Sequence, residues 1–232
     1  MPGRYATEEG VILARRLVPS GDAILEILTP RGPISARAKS AQRPGGRSGR
    51  LGLFHRVRFQ RYERPDRELA TLTQVELEEA LGSSSPTRFA AQGFLAELAL
   101  KTLSPEIARA GYPLLVSGLR GVARAEDPRV PLVWAGFRLL ALAGHAPRGA
   151  GPYLEPAGEL AKDPSPGAVY LGPEGAAALR AILTKPGKEA VAALGEAPLD
   201  RLQEALLRYA EAQLEGMRSA RALRALGGYN RP

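Results

Sequence analysis

The chain has 232 residues, room for one large domain or two to three small ones, each with its own core. It contains no cysteine and only two histidines, which excludes disulfides, iron–sulfur clusters, thiol catalysis and cysteine-ligated zinc, and argues against a conventional zinc or copper site. Its net charge of +8 is uneven: residues 1–67 hold 14 basic and 6 acidic residues and residues 68–232 hold 18 of each, so a basic N-terminal module with a polyanionic partner is expected ahead of a neutral remainder.

No apolar run reaches the roughly 18–20 residues of a membrane span. Met1–Gly10 lacks the apolar segment of a signal peptide. The expected location is therefore the cytoplasm, with no membrane contact. Scarce Asn and Met beside 20 Pro and an Arg-heavy basic set fit a thermophile or a GC-rich genome.

Glu9–Leu17 reads as a short apolar strand that turns basic at its end. Val18–Asp22 (VPSGD) carries turn chemistry, because Pro fixes φ and Gly permits positive φ. Ala23–Leu28 is a second strand, and Thr29–Gly32 a second turn. Ile34–Lys39 alternates, with Ile34, Ala36 and Ala38 on one face and Ser35, Arg37 and Lys39 on the other. Ser40–Gly49 is a Gly/Arg-rich flexible loop. From Leu51 alternation returns: Leu51, Leu53, His55, Val57 and Phe59 on one face, Phe54, Arg56, Arg58, Gln60 and Tyr62 on the other. Leu69–Val75 is a last strand, followed by a short acidic helical turn. Four or five short strands in about 80 residues suggest a small closed barrel of the OB type.

Within this region Arg31–Arg61 holds nine basic residues and no Asp or Glu. Nucleic acid is the natural partner: bases stack on rings while Arg meets phosphates. The candidate DNA-binding residues are Arg31, Arg37, Lys39, Arg43, Arg47, Arg50, Phe54, Arg56, Arg58 and Tyr62. The plainer alternative is that Phe54 and Tyr62 pack at a sheet edge and the arginines only solubilise the barrel.

Beyond residue 80 the patterns turn helical. Ser85-Pro86, Ser104-Pro105 and Asp127-Pro128 are helix starts. Gly111 and Pro113 interrupt the second stripe and are expected to split that helix. Trp134 reads as core, and His145 as a helix-end residue rather than a catalytic one. Pro147–Pro173 is a Pro/Gly-rich excursion without helical period. Glu174–Leu183 and a long Pro198–Leu226 pattern follow, with Arg218, Arg221 and Arg224 at a helix C-terminus, where they suit the dipole. The fold class is thus α+β: residues 1–80 an OB-fold nucleic-acid-binding domain, residues 81–232 an all-α helical domain with the excursion at 147–173.

Three segments in this order resemble RecO, the bacterial recombination mediator. They are Glu9–Tyr62 (EGVILARRLVPSGDAILEILTPRGPISARAKS onward to LGLFHRVRFQRY), Phe137–Pro147 (FRLLALAGHAP) and Glu215–Leu226 (EGMRSARALRAL). Many family members carry four zinc-binding cysteines after the Gly-x-x-Pro stretch; here Arg148–Leu171 has none, so no zinc and no other cofactor is expected. The resemblance implies a non-enzymatic, nucleoid-associated protein. It would bind single- and double-stranded DNA, anneal strands, and with RecR help load RecA onto DNA covered by single-strand-binding protein. Two other readings remain. A metal-dependent nuclease would need a carboxylate cluster, for which Glu76, Glu78 and Glu79 are the nearest candidates. A generic OB-type DNA or RNA chaperone would use its helical part only as scaffold.

Overall fold

Period-two alternation of apolar and polar side chains produces five N-terminal strands in the computed structural model, which describes residues 3–41, 47–64 and 69–228, with backbone alone at 47–48 and 227–228. They are β1 (Arg4–Leu17), β2 (Ala23–Thr29), β3 (Gly32–Ala38), β4 (His55–Glu63) and β5 (Ala70–Ala80). They close as a barrel in the order β1-β2-β3-β5-β4. Every neighbouring pair is antiparallel except β3 with β5. This is the OB-type arrangement. Ile12, Leu25, Ile27, Val57, Phe59 and Leu72 lead one continuous interior cluster.

Barrel closure depends on β1, which begins at Arg4 rather than at Glu9. Its first half pairs with β4 from Arg4↔Glu63 to Val11↔Arg56, and its second half pairs with β2 from Val11↔Leu28 to Leu17↔Ala23. A strand that changes neighbours must bend. The register of β1 against β2 shifts between Ile12 and Ala14. At Gly10 a Cβ would lie 2.6 Å from Ile27 Cγ2, so only Gly allows the strand to pass so close to the core.

The turns follow their local chemistry. Gly21 takes φ +80 and donates its N–H to Val18 O at 3.0 Å. The Thr29 hydroxyl donates to Gly32 O at 2.9 Å and accepts the Arg31 N–H at 3.1 Å. Two expectations fail. β4 begins at His55, because Phe54 adopts φ +63 and reverses the alternation assigned to Leu51–Phe54. The acidic turn after Val75 is strand, since β5 runs to Ala80 with Arg56↔Glu79 and His55↔Ala80 in register with β4. Between β3 and β4 the described residues include a 3-10 turn, Arg47–Arg50, at the end of the expected flexible loop Ser40–Gly49.

Seven helices follow among the described residues: α1 (Pro86–Thr102), α2 (Pro105–Arg124), α3 (Arg129–Leu142), α4 (Gly172–Thr184), α5 (Gly187–Ala192), α6 (Leu199–Gln213) and α7 (Ser219–Gly228). α2 is not split. Pro113 sits inside it on the exposed side, where the carbonyl it leaves unbonded meets water. α3 ends in a Schellman motif: Gly144 takes φ +89, and His145 N–H reaches Leu140 O at 2.8 Å. Trp134 is half-buried, with its indole N–H buried and unbonded. The excursion after α3 forms a four-stranded sheet of short strands, β6 (Arg148–Gly149), β7 (Tyr153–Leu154), β8 (Glu159–Ala161) and β9 (Val169–Tyr170), in the order β6-β8-β7-β9. Buried Leu154 and Leu160 and the Tyr153–Tyr170 ring contact at 5.1 Å hold it. Glu155 accepts the Ser165 N–H across it.

The compact units do not divide at residue 80. One comprises residues 1–82 together with the first part of α2, Leu103–Val116; the other comprises Ser83–Thr102 and everything from Ser117 onward. Within the first unit, Gly32 leaves room for Pro105: a Cβ there would approach its Cα to 3.2 Å.

The long C-terminal helix is two helices, because Gly216 at φ +71 breaks the chain. Arg218 therefore precedes the start of α7 instead of closing a helix. Glu97 of α1 caps that start, accepting the N–H groups of Arg218 at 3.0 Å and Ser219 at 2.7 Å and the Ser219 hydroxyl. Burial pushes the Glu97 carboxyl up, but the Ser219 hydroxyl and the two N–H donors together hold it below its ordinary value. Such a group stabilises the fold above its unfolded pKa, and the contribution is lost as pH falls through the depressed folded value. Glu97→Ala is expected to lower stability by about 1–2 kcal/mol near neutral pH, with the difference from the parent shrinking below about pH 4. Urea unfolding at several pH values checks both.

Candidate nucleic-acid interface

The first question about nine cations in one stretch is what they face. Neighbouring strands answer it with carboxylates. The Arg37 Nε donates to Asp22 at 2.7 Å. Arg56 grips Glu78 through two nitrogens, at 2.9 and 2.7 Å, and Arg58 reaches the other oxygen of the same carboxylate at 3.0 Å. Arg61 pairs with Glu8 at 2.9 Å and Glu63 at 2.7 Å, and Arg31 extends to Glu8 at 3.6 Å. The charge run has no acid within itself, yet the strands paired with it supply them.

The domain boundary changes the charge balance as well. Residues 1–82 hold 14 basic and 10 acidic residues, because β5 and the residue pair before it bring Glu68, Glu76, Glu78 and Glu79. The barrel therefore carries +4, and the remaining +4 lies beyond it, not at zero as a boundary at residue 67 implies.

Two expected contacts are displaced. Phe54 is only 2% exposed, packed into the barrel end by its left-handed backbone, and offers no stacking face. Arg56 is committed to Glu78, which raises its pKa, and lies beside Tyr112 of α2. That phenol is buried and its hydroxyl makes no hydrogen bond. Burial first, then the nearby Glu9, drives its pKa far up, while Arg56 opposes them. Glu78, one of the three acids weighed as metal ligands, is a brace for two arginines. Among the described residues no group of three or more acidic or histidine side chains is placed to hold a metal. His145 instead shares a hydrogen bond with Gln213 Oε1 at 3.0 Å and accepts the Tyr209 hydroxyl on its carbonyl.

Of the remaining candidates, Lys39, Arg50, Arg58 and Tyr62 line two adjoining grooves along β4 and β5, whereas Arg31 and Arg37 line neither. One open groove of about 690 Å³ is lined by Thr7, Arg50, Arg58, Gln60, Thr73, Gln74 and Glu76, with Phe59, Val75 and Leu77. Arg50 is pinned at its edge by donating to Val75 O at 3.3 Å. A second groove of about 360 Å³ shares Thr73 with it and is lined by Tyr5, Lys39, Tyr62, Arg64, Leu69 and Thr71. Tyr5 and Tyr62 face each other across the β1–β4 register, with ring centroids 4.9 Å apart and planes tilted by 42°. The Arg64 guanidinium lies 5.8 Å from the Tyr62 centroid. Gly3 leaves room for the Tyr62 ring, which a Cβ there would strike. Among the described residues Lys39, Arg50 and Arg64 make no ion pair. Arg43 lies outside the described residues, as does the side chain of Arg47.

Tyr5 and Arg64 are absent from the sequence-based set. The alternation Tyr5, Thr7, Glu9 against Ala6, Glu8, Gly10 is the signal that extends β1 back to them. It is faint because the inward positions include Glu8, whose side chain is buried only because Arg61 meets it inside the barrel end.

Asp22 shows the structural use of these pairs. Its carboxylate accepts the Ser40 N–H at 2.7 Å and holds that residue at φ +53. The Ser40 N–H and then Arg37 keep its pKa below the ordinary value. Its contribution is present above the unfolded pKa of about 4 and is lost as pH falls through the lower folded value. Asp22→Asn is expected to destabilise the barrel at neutral pH and to flatten the acid limb of its stability profile. Thermal unfolding from about pH 3 to 7 checks this, and an unchanged acid limb would contradict it.

Among the described residues no helix is long and apolar enough to cross a membrane. No curated protein matches the chain. Residues 1–81, the barrel, match the family described as Recombination protein O N terminal. Residues 1–81 are therefore similar to the N-terminal domain of recombination protein O.

Proposed function

We propose that the chain is a non-enzymatic DNA-repair mediator that binds single- and double-stranded DNA on the outer face of its barrel. It anneals complementary strands and, with RecR, helps load RecA onto strands covered by single-strand-binding protein. The observation that carries the DNA-binding reading is the pair of adjoining grooves edged by Lys39, Arg50, Arg58 and Arg64 on a RecO-type barrel. The partner proteins rest on the resemblance to RecO, which the match over residues 1–81 supports.

Cations on that face neutralise phosphates and release counterions, so affinity falls as salt rises. Holding two strands while screening their repulsion promotes annealing. Arg31, Arg37 and Arg58 are positioned by carboxylates and partly exposed, so they add to the field while contributing less than a full charge each.

The test is a salt-titrated anisotropy assay with labelled single-stranded and duplex DNA. The triple variant Lys39→Ala, Arg50→Ala, Arg64→Ala is expected to bind more weakly. Each lost phosphate contact should reduce the slope of log affinity against log salt by about 0.7 on single strands and about 0.9 on duplex. Glu78→Gln releases Arg58 from its anionic partner and is expected to tighten binding. Unaltered affinity and slope in the triple variant would overturn the assignment of this face. Failure of RecR to copurify with the DNA-competent protein would remove the mediator role and leave a DNA-binding protein.

A further inference from the structure

The two grooves differ in chemistry. The larger one is polar and includes Glu76. Among the described residues the smaller one is lined by two tyrosines, two cations, Leu69 and two threonines, with no carboxylate. Tyr5 is 62% exposed, far more than an aromatic ring retained only for packing. One side of its ring meets Tyr62, and Tyr62 is backed by Arg64, so the pair is supported from one end and open at the other. Lys39 stands immediately after β3, whose last residues pair with Thr71 and Leu72 of β5, and it makes no ion pair among the described residues. A ring with an open face, flanked by cations, suits a polymer that alternates flat aromatic groups with negative charges.

Resting on the DNA-binding reading above, we propose that the Tyr5–Tyr62 groove is a single-strand-selective subsite. An unpaired base stacks on the exposed Tyr5 ring while Lys39 and Arg64 hold the flanking phosphates. A duplex cannot use it, because its bases are already stacked and paired and present only edges and backbone. Duplex DNA is held by the cations of the face alone. The subsite is tolerant of sequence, since every base has a face to stack and, among the described residues, the further side-chain polar groups of the groove are the hydroxyls of Thr71 and Thr73 beside those of the two tyrosines.

The experiment compares an oligothymidylate, the same strand with abasic positions, and a short duplex on the full chain. Tyr5→Ala is expected to weaken oligothymidylate binding by about 5- to 100-fold while changing duplex binding by less than about twofold. Tyr5→Phe, which keeps the ring, is expected to bind like the parent. The parent protein should bind the abasic strand about as weakly as Tyr5→Ala binds oligothymidylate, a comparison that needs no variant. Equal affinity of the parent for abasic and intact strands would overturn the subsite. So would a loss by Tyr5→Ala that is equal on strand and duplex. Either result leaves DNA binding by the barrel intact. A parent protein that binds neither DNA form would overturn the underlying reading and the subsite together.

Discussion

One strand serving two neighbours is the constraint on which the N-terminal domain depends. β1 must pair with β4 along its first half and with β2 along its second, and it turns between them at Gly10 and the register shift beyond Ile12. Closure in that register decides what meets what on both faces. Inside, it sets Glu8 against Arg61, a buried pair whose Oε2 and Nε remain without hydrogen bonds. Outside, it sets Tyr5 opposite Tyr62. A slip of one residue would exchange these faces, placing rings in the barrel and the ion pair in water. Burying an unmatched charge is costly, so the Glu8–Arg61 pair penalises wrong registers more than it rewards the right one.

The electrostatic character of the barrel follows from sheet pairing rather than from composition. Arginines of β3 and β4 lie beside carboxylates of β1 and β5 and of Asp22, the residue before β2. Exposed pairs of this kind contribute little to stability. They hold long side chains in place and offset part of the positive charge of this surface. Among the described residues, the groove-lining cations left without an ion pair stand at the ends of strands and in the turn before β4: Lys39, Arg50 and Arg64.

Local chemistry in the sequence specified the strands whose inward face is aliphatic. Ile34, Ala36 and Ala38, and again Val57 and Phe59, alternate without interruption and appear as β3 and β4. The turns at Gly21 and Gly32 and the helix starts at Pro86 and Pro105 are equally local and were equally readable. What was not readable was set by partners far along the chain. ELEEAL has helical composition, yet β4 claims it as a strand through residues some twenty positions earlier. Phe54 obeys alternation in the sequence, and one left-handed residue in the structure cancels it. The true exposed ring, Tyr5, sits where the inward positions are Ala6 and Glu8, and no apolar period announces a strand there. The pairing of arginines with distant acids cannot be counted within any window.

The cap that Glu97 places on α7 spans 122 positions of sequence. α1 buries Phe94, Leu95, Leu98 and Ala99, and α7 is among the elements packed on it. On the ribosome, α1 emerges long before Ser219 is made. At about 5–20 residues per second, the part of that surface that α7 covers stays open for roughly 6–25 seconds. The barrel has no such wait, because all its strands are synthesised by residue 80. The strands of the barrel are thus complete early, while α1 waits through most of translation for the helix that its own carboxylate caps.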